Sequence, residues 1–185
     1  MPSSAASETY TLDKTHSEVS FRVRHLVTRV RGRFTDFEAR IRVVPGRPEE
    51  SSVRFFVRAA SIDTGLPDRD QHLRSADFFD AERHPEIVFE SRRVDPVGED
   101  RYDVTGALSL RGVIREITVP VAFLGFVKDP WGNEKAGFET ELTVDRKDFG
   151  MVWNAALDNG GVVLGDKVTV SIALEAVRES EAAAA

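Results

Sequence analysis

Along most of this chain apolar and polar residues alternate in short runs, and that period of two predicts β-strands with one buried and one wet face. In residues 18–25, Val19, Phe21, Val23 and His25 fall on one face, while Glu18, Ser20, Arg22 and Arg24 fall on the other. Residues 37–45 set Phe37, Ala39, Ile41 and Val43 against Glu38, Arg40 and Arg42, and residues 52–60 set Val53, Phe55, Val57 and Ala59 against Arg54 and Arg58. Ile87 and Phe89 share a face in 86–91, as do Tyr102, Val104, Gly106, Leu108 and Leu110 in 101–112. The last three runs contribute Ile117, Val119, Val121 and Phe123, then Phe138, Thr140, Leu142 and Val144, then Val168, Val170, Ile172 and Leu174.

These runs predict about eight strands in an all-β protein. Their polar outer faces suit antiparallel pairing. Turn signals separate them: Pro-Gly at 45–46, Arg111-Gly112 and the Asp-Pro-Trp-Gly-Asn run at 129–133. No long helical period links them, which argues against parallel crossovers. Two architectures remain, a sandwich and a closed up-and-down barrel, and closure is favoured because it leaves no unpaired edges.

Two segments break the alternation, and short helical insertions are expected in both, at 66–80 and near 147–158. In the former, Pro67-Asp68 starts one helix and Ser75 caps a second, with Leu66, Leu73, Phe78 and Phe79 as apolar residues. The latter sets Phe149, Met151 and Trp153 among glycines. Connections of this length with large aromatics are usually functional.

With 185 residues and 41% hydrophobic content, the chain is expected to be one domain over 10–177, with a disordered leader 1–9 and a flexible tail 178–185. A net charge of −6 argues against nucleic-acid binding, and the lack of cysteine excludes disulfides, thiol nucleophiles and Cys-ligated metal. No apolar run reaches the ~18 residues of a membrane-spanning helix. The opening MPSSAASETYTLD has no basic region followed by an apolar core, so a cytoplasmic location is expected; a chain already trimmed of a leader would look the same.

Candidate chemistry is sparse. Asp13, His16 and Ser17 resemble a nucleophile set only superficially, since adjacent His and Ser diverge on a strand, and no catalytic motif is present. His16, His25, His72 and His84 have no metal-site spacing, so no metal is expected. His25 ends an inward row, where it can meet a polar head group or be satisfied by a backbone or carboxylate partner. Asp145 and Asp148 flank Arg146 and are expected to tie the second insertion to the barrel. If 25–28 is a hairpin turn, Arg22, Arg24, Arg29, Arg31 and Arg33 form one outer stripe. Such a stripe can steer the protein to anionic lipid or to an acidic partner. The simpler expectation is a solvated face paired with Glu8, Glu18 and Glu38. Alternation also leaves open whether the interior is hollow or filled by its own rings: Ala39, Ala59 and Gly106 stand beside Phe21, Phe55, Phe89 and Phe138.

The stretches YTLDKTHSEVSFRVRHL at 10–26, GRFTDFEARI at 32–41 and SIDTGLPDRDQHLRSADFFDAERHPEIVFES at 61–91 carry a resemblance. GALSLRGVIREITVPV at 106–121, DRKDFGMVWN at 145–154 and GDKVTVSIALE at 165–175 continue it. Together they resemble the YceI-like family, the lipocalin-like, polyisoprenoid-binding proteins of bacteria. That resemblance implies a closed antiparallel barrel with helical insertions, an elongated apolar cavity and a homodimer. It implies no catalytic residue and no cofactor beyond a bound isoprenoid lipid or isoprenoid quinone, held for transport or storage. The barrel rows then supply the expected ligand wall: Phe21, Val23, His25, Phe37, Ile41, Phe55, Val57, Ile87 and Phe89 from the first half, and Val104, Leu108, Val119, Val121, Phe138, Leu142, Val170 and Ile172 from the second. Leu73, Phe78, Phe79, Phe149 and Trp153 form a lid over the mouth or, alternatively, a plug. Asp68, Arg69, Asp70, His72 and Arg74 are expected to face solvent or pin the lid by ion pairs. TRVRGRF is more arginine-rich than its counterpart in the family, and transient contact with an anionic membrane is a further expectation. A cyclase or hydrolase acting on a lipid in the same cavity, and a filled barrel acting through protein contacts, are the alternatives.

Overall fold

The computed structural model describes residues 6–180. In chain order its elements are β1 (Glu8–Leu12), β2 (Glu18–His25), β3 (Thr28–Phe34), β4 (Phe37–Val43), β5 (Ser52–Arg58), β6 (Ile62–Asp63), α1 (Pro67–Arg74), β7 (Glu86–Gly98), β8 (Arg101–Leu110), β9 (Val113–Lys128), β10 (Glu134–Asp145) and β11 (Leu164–Arg178). Each paired strand runs antiparallel to its neighbour. β1 with β2, β3 with β4, and β5 with β6 are broken halves of single staves, so the wall has eight staves in chain order. β11 closes the ring, with Val177 opposite Thr11 on β1 and Val170 opposite Phe21 on β2. The fold is an eight-stranded antiparallel closed barrel, and each of the eight alternating runs occupies its own stave.

The breaks have local causes. Between β1 and β2, Asp13 caps a 3₁₀ turn (Lys14–His16) by accepting from the Thr15 amide at 3.1 Å. Asp13, His16 and Glu175 converge there, but Lys135 places its ammonium against both carboxylates, so this cluster already contains its cation. Hydrogen bonds from His16 and Lys135 hold the Asp13 carboxyl down at about 2, against an ordinary 3.8. A depressed carboxyl stabilises the fold above its unfolded value and loses that contribution as pH falls through its folded one. Asp13→Asn is therefore expected to be less stable than the parent at neutral pH, with the difference vanishing between about pH 4 and pH 2 in thermal melts.

The strand β1 reaches back to Glu8, inside the expected leader, and the Glu179 amide still donates to the Thr9 carbonyl at 2.8 Å. Residues 1–5 of that leader and 181–185 of the expected tail lie outside the described residues. Between β8 and β9, Arg111 and Gly112 both take positive φ (52° and 73°), the geometry of a tight primed hairpin turn. Gly106 on β8 faces the register shift in β7 between Ser91 and Arg93, where an added Cβ would sit 2.3 Å from the Glu90 carbonyl oxygen. That oxygen and the Ser91 Cα, 2.8 Å from the same position, are backbone and cannot turn aside. Gly106→Ala is expected to cost about 2 kcal/mol and lower the melting temperature by roughly 4–8 °C in thermal unfolding followed by circular dichroism.

Both insertions differ from expectation. α1 is the one helix of the 66–80 segment. Ser75 ends it rather than starting another, donating through both its amide and its hydroxyl to the His72 carbonyl (3.1 and 2.6 Å). The chain then reverses through Asp80 (φ 47°), which lets the Phe79 and Ala81 amides donate back to the carbonyls of Leu73 and Arg74. In the 147–158 segment only a 3₁₀ turn (Arg146–Phe149) forms, stopped by Gly150 at φ 76°. The rest is irregular, with one isolated bridge between Ala156 and Val162.

At one end of the barrel the interior is solid. Tyr10, wholly buried, packs with Ala39, Ile41, Ala136 and Ala176, and Phe55, Phe123 and Phe138 close around them. The Tyr10 hydroxyl lies 2.8 Å from a Glu134 carboxylate oxygen and 3.1 Å from one of Glu8. Burial, then these carboxylates, raise its pKa. The other end carries α1, the second insertion, and the hairpins at 26–27 and 111–112.

Candidate ligand cavity

Above the Tyr10 floor the inward rows surround a cavity of about 600 Å³. Phe21, Val23 and His25 line it from β2, Phe55 and Val57 from β5, Ile87 and Phe89 from β7, and Val104 and Leu108 from β8. Val119 and Val121 continue the wall from β9, Leu142 from β10, and Val170 and Ile172 from β11. Leu73, Phe78, Phe79 and Trp153 stand at the mouth. The structure thus brings together eighteen of the expected lining residues.

Four expected residues do not line the cavity. Ile41 and Phe138 belong to the packed floor around Tyr10, and Phe37 packs between Val19 and Val57 with its ring 6.3 Å from that of Phe55. Phe149 is buried beneath the second insertion against Leu110 and Met151. The three strand residues face inward, but other side chains already fill the space in front of them, while Phe149 stands off the strands in the 3₁₀ turn. Sequence reasoning also omitted several lining residues. Val19, Val53, Ile117, Val168 and Leu174 sit on the alternating rows, so the signal for them was available. Val30 and Phe34 belong to β3, where Arg29, Arg31 and Arg33 occupy the outer positions and dominate the composition.

The mouth is closed by aromatic contacts between the two insertions. The His72 ring meets Trp153 edge-on at 4.8 Å and Phe78 at 5.0 Å, while Phe78 and Trp153 are 5.4 Å apart. Phe79 meets Phe34 at 5.7 Å, and Phe34 meets Phe21 at the same distance, so aromatic rings run from the lid into the barrel.

The expected ion pairs are largely replaced by bonds to backbone. Asp70 is buried and accepts from the amide and hydroxyl of Thr64 (2.9 and 2.6 Å). Arg69 donates to the Thr64 hydroxyl and carbonyl, and Arg74 to the carbonyls of Ala60 and Ile62. The broken stave between β5 and β6 exposes those carbonyls, and an arginine fork reaches two at once. His72 does contact a carboxylate, Asp77, at 2.8 Å.

The main tie between the second insertion and the wall is Arg146, and the flanking aspartates add smaller ones as expected. Its side chain is only 4% exposed, and it donates to the carbonyls of Gly165 (2.9 Å), Met151 (2.7 Å) and Trp153 (2.8 Å), with Asp166 at 3.6 Å. Burial lowers its pKa. Asp145 caps the 3₁₀ turn and pairs with Lys167 on β11, and Asp148 offers its carbonyl to Arg115 on β9.

The arginine stripe exists, but not with its expected partners. Arg22 pairs with Glu141 and Arg33 with Asp63, both at 3.2 Å. Glu8 pairs with Arg178 and Glu38 with Lys14, because both glutamates lie toward the closed end. No pair to Glu18 forms among the described residues.

Polarity inside the cavity is unevenly distributed. His25, Asp68, Arg69, His72 and Arg146 form a collar near the mouth, while below it the wall is apolar except for Thr140. A tail without hydrogen-bonding groups fits the lower space, and a head group that accepts hydrogen bonds fits the collar.

Residues 10–176 match the YceI-like domain family. A UPF0312 protein of Azotobacter vinelandii is 39% identical over 150 residues, covering 80% of this chain and 78% of that protein. Among solved structures, BcnA of Burkholderia cenocepacia aligns with a TM-score of 0.79 at 25% identity, covering 89% of this chain and 98% of that one. A polyisoprenoid binding domain from Saccharophagus degradans aligns with a TM-score of 0.70 over 92% of this chain and 98% of its own, at 17% identity, a likeness of fold.

Proposed function

The chain belongs to the YceI-like domain family, and on that premise we propose that it holds a polyisoprenoid or similar long-chain amphiphile in the barrel, for transport or storage, without transforming it. The observation that carries this reading is the cavity of about 600 Å³, walled by Phe, Val, Ile and Leu and polar mainly at its collar. The polyisoprenoid binding domain of similar fold is consistent with it.

The energetics suit loose, exchangeable binding. Burying roughly 500 Å² of hydrocarbon at ~25 cal/mol per Å² contributes on the order of 12 kcal/mol. Association costs of about 4–15 kcal/mol offset much of that, leaving micromolar affinity and selection by length rather than by chemical detail. His25, His72 and Arg69 at the collar can donate to a quinone carbonyl or a carboxylate head.

A lipid-modifying enzyme would need ionisable groups with shifted pKa values converging on the ligand. Of the groups with shifted values among the described residues, Arg146 alone lines the cavity, and three carbonyls engage it. The others, among them Tyr10, Asp13, Asp63 and Glu141, lie in the floor or outside the wall. A filled barrel is disfavoured by the cavity itself. For the homodimer, the exposed apolar face of Leu124, Val127 and Trp131 at the closed end is the proposed contact, and light scattering that reads a single protomer mass would remove it.

Mass spectrometry of an organic extract of the purified protein tests the main reading. Stoichiometric long-chain lipid is expected, either as isolated or after incubation with isoprenoid quinones. Recovery of none under both conditions would overturn it.

A further inference from the structure

At the mouth end the outer surface combines two unfavourable features. The β2–β3 hairpin turns at Leu26 and Val27, with Leu26 at φ 53°. A solvated two-residue turn ordinarily takes Asn, Asp or Gly. Here Val27 is 92% exposed and Leu26 43%. The Leu26 amide donates to the Val163 carbonyl at 2.8 Å, which fixes the tip beside Val162, itself 56% exposed. An apolar apex is therefore held in place rather than left loose.

Behind this apex, Arg24 lies directly opposite Arg29, and Arg22 directly opposite Arg31. Like charges facing each other across a ladder are destabilising. Glu141 compensates Arg22 and Asp63 compensates Arg33, and Arg24 donates to the Leu26 carbonyl. Arg29 and Arg31 have no carboxylate partner among the described residues. β3 is also an edge beyond its two-residue pairing with β6, and a cation or two there would discourage strand addition. Edge protection does not account for an exposed Leu-Val apex, nor for five arginines on one face of a chain with net charge −6.

We propose that this hairpin docks the barrel onto an anionic bilayer, a step that rests on the lipid-carrier reading above. Leu26, Val27 and Val162 enter the interface, and Arg24, Arg29 and Arg31 meet lipid phosphates. The inner face of the same hairpin supplies Val23, His25 and Val30 to the cavity, so docking brings the cavity mouth to the membrane. A tail can then move between bilayer and barrel without crossing water. An acidic soluble protein would satisfy the arginines but would leave the valines without an apolar phase. Another exposed apolar surface, around Trp131, lies at the closed end beside Asp129 and Glu134, away from the arginine stripe.

Co-flotation of the full chain with phosphatidylcholine vesicles, with and without phosphatidylglycerol, tests the proposal. Binding to the anionic vesicles is expected to be about tenfold stronger or more, and to weaken as salt shortens the screening length. The double change Arg29→Glu with Arg31→Glu should remove that advantage, and Val27→Asp should reduce binding while Val27→Leu preserves it. Both charge-reversed and Val27→Asp proteins should take up isoprenoid quinone from detergent solution normally, which separates a failure of docking from a failure of the carrier reading. Equal weak binding to both vesicle types overturns the proposal. So does binding that responds to the arginines but is indifferent to Val27→Asp, a result that points to an acidic protein partner.

Discussion

Phe55→Asp is expected to abolish lipid uptake while the barrel remains assembled. Phe55 stands mid-stave on β5, opposite Ala39 on one side and Phe89 on the other, and its ring borders both the cavity and the packed floor. Removing the ring takes away roughly 2–3 kcal/mol of tail contact. The carboxylate adds a second penalty, because it is hydrated in an empty cavity and must shed water or take up a proton when a hydrocarbon chain arrives. Together these predict a loss of at least about a hundredfold in affinity, enough to put a micromolar ligand beyond detection by fluorescent-lipid titration. Deleting a core phenylalanine also costs about 3–5 kcal/mol of stability, so a variant that keeps the floor intact is needed beside it. Val119→Trp does this: an indole in place of a wall valine fills the middle of the cavity and should block uptake with little change in melting temperature. Arg31→Ala, on the outer face, should leave quinone uptake from detergent unchanged. A folded Phe55→Asp protein with normal uptake would place the ligand somewhere other than this cavity.

The side of the wall on which a residue falls was legible in the sequence because that property is two-valued and alternates strictly along a strand. Whether an inward residue lines space or fills it depends on what stands opposite in three dimensions. Phe37, Ile41 and Phe138 have the same pattern as Phe21, Phe55 and Phe89, yet Tyr10 and its neighbours occupy the room in front of two of them and Val19 that in front of the third. Tyr10 itself sits in a five-residue strand too short to stand out beside a polar leader. Connections were less readable still. Ser75 can open a helix or close one, and the choice was made by the reversal at Asp80 that folds the segment back onto α1. Arg146 between two aspartates suggests an ion pair, but its main partners are carbonyls, which every residue carries and no sequence pattern marks.

Those carbonyls make Arg146→Met the most damaging substitution expected in the insertions, although methionine fills comparable volume and removes a buried charge. The methionine leaves the carbonyls of Met151, Trp153 and Gly165 without the donors that now reach them. An unmade hydrogen bond to a buried carbonyl costs about 1–3 kcal/mol, and water reaching the loosened loop recovers part of it. A net loss of about 3 kcal/mol is expected, lowering the melting temperature by roughly 6–12 °C. Arg146→Lys keeps a cation near Asp166, but one ammonium cannot fan out to carbonyls on both the loop and β11, so an intermediate loss is expected. The local consequence can be read separately from the global one. The chain has two tryptophans, and Trp131 is already in water, so a red shift of the emission in Arg146→Met reports Trp153 leaving His72 and Phe78. With those rings parted the mouth loses its aromatic closure, and bound lipid should exchange faster while its equilibrium affinity, set by the wall below, changes little. Unchanged emission and melting temperature in Arg146→Met would show that the loop is held by its other contacts and that this arginine is not its anchor.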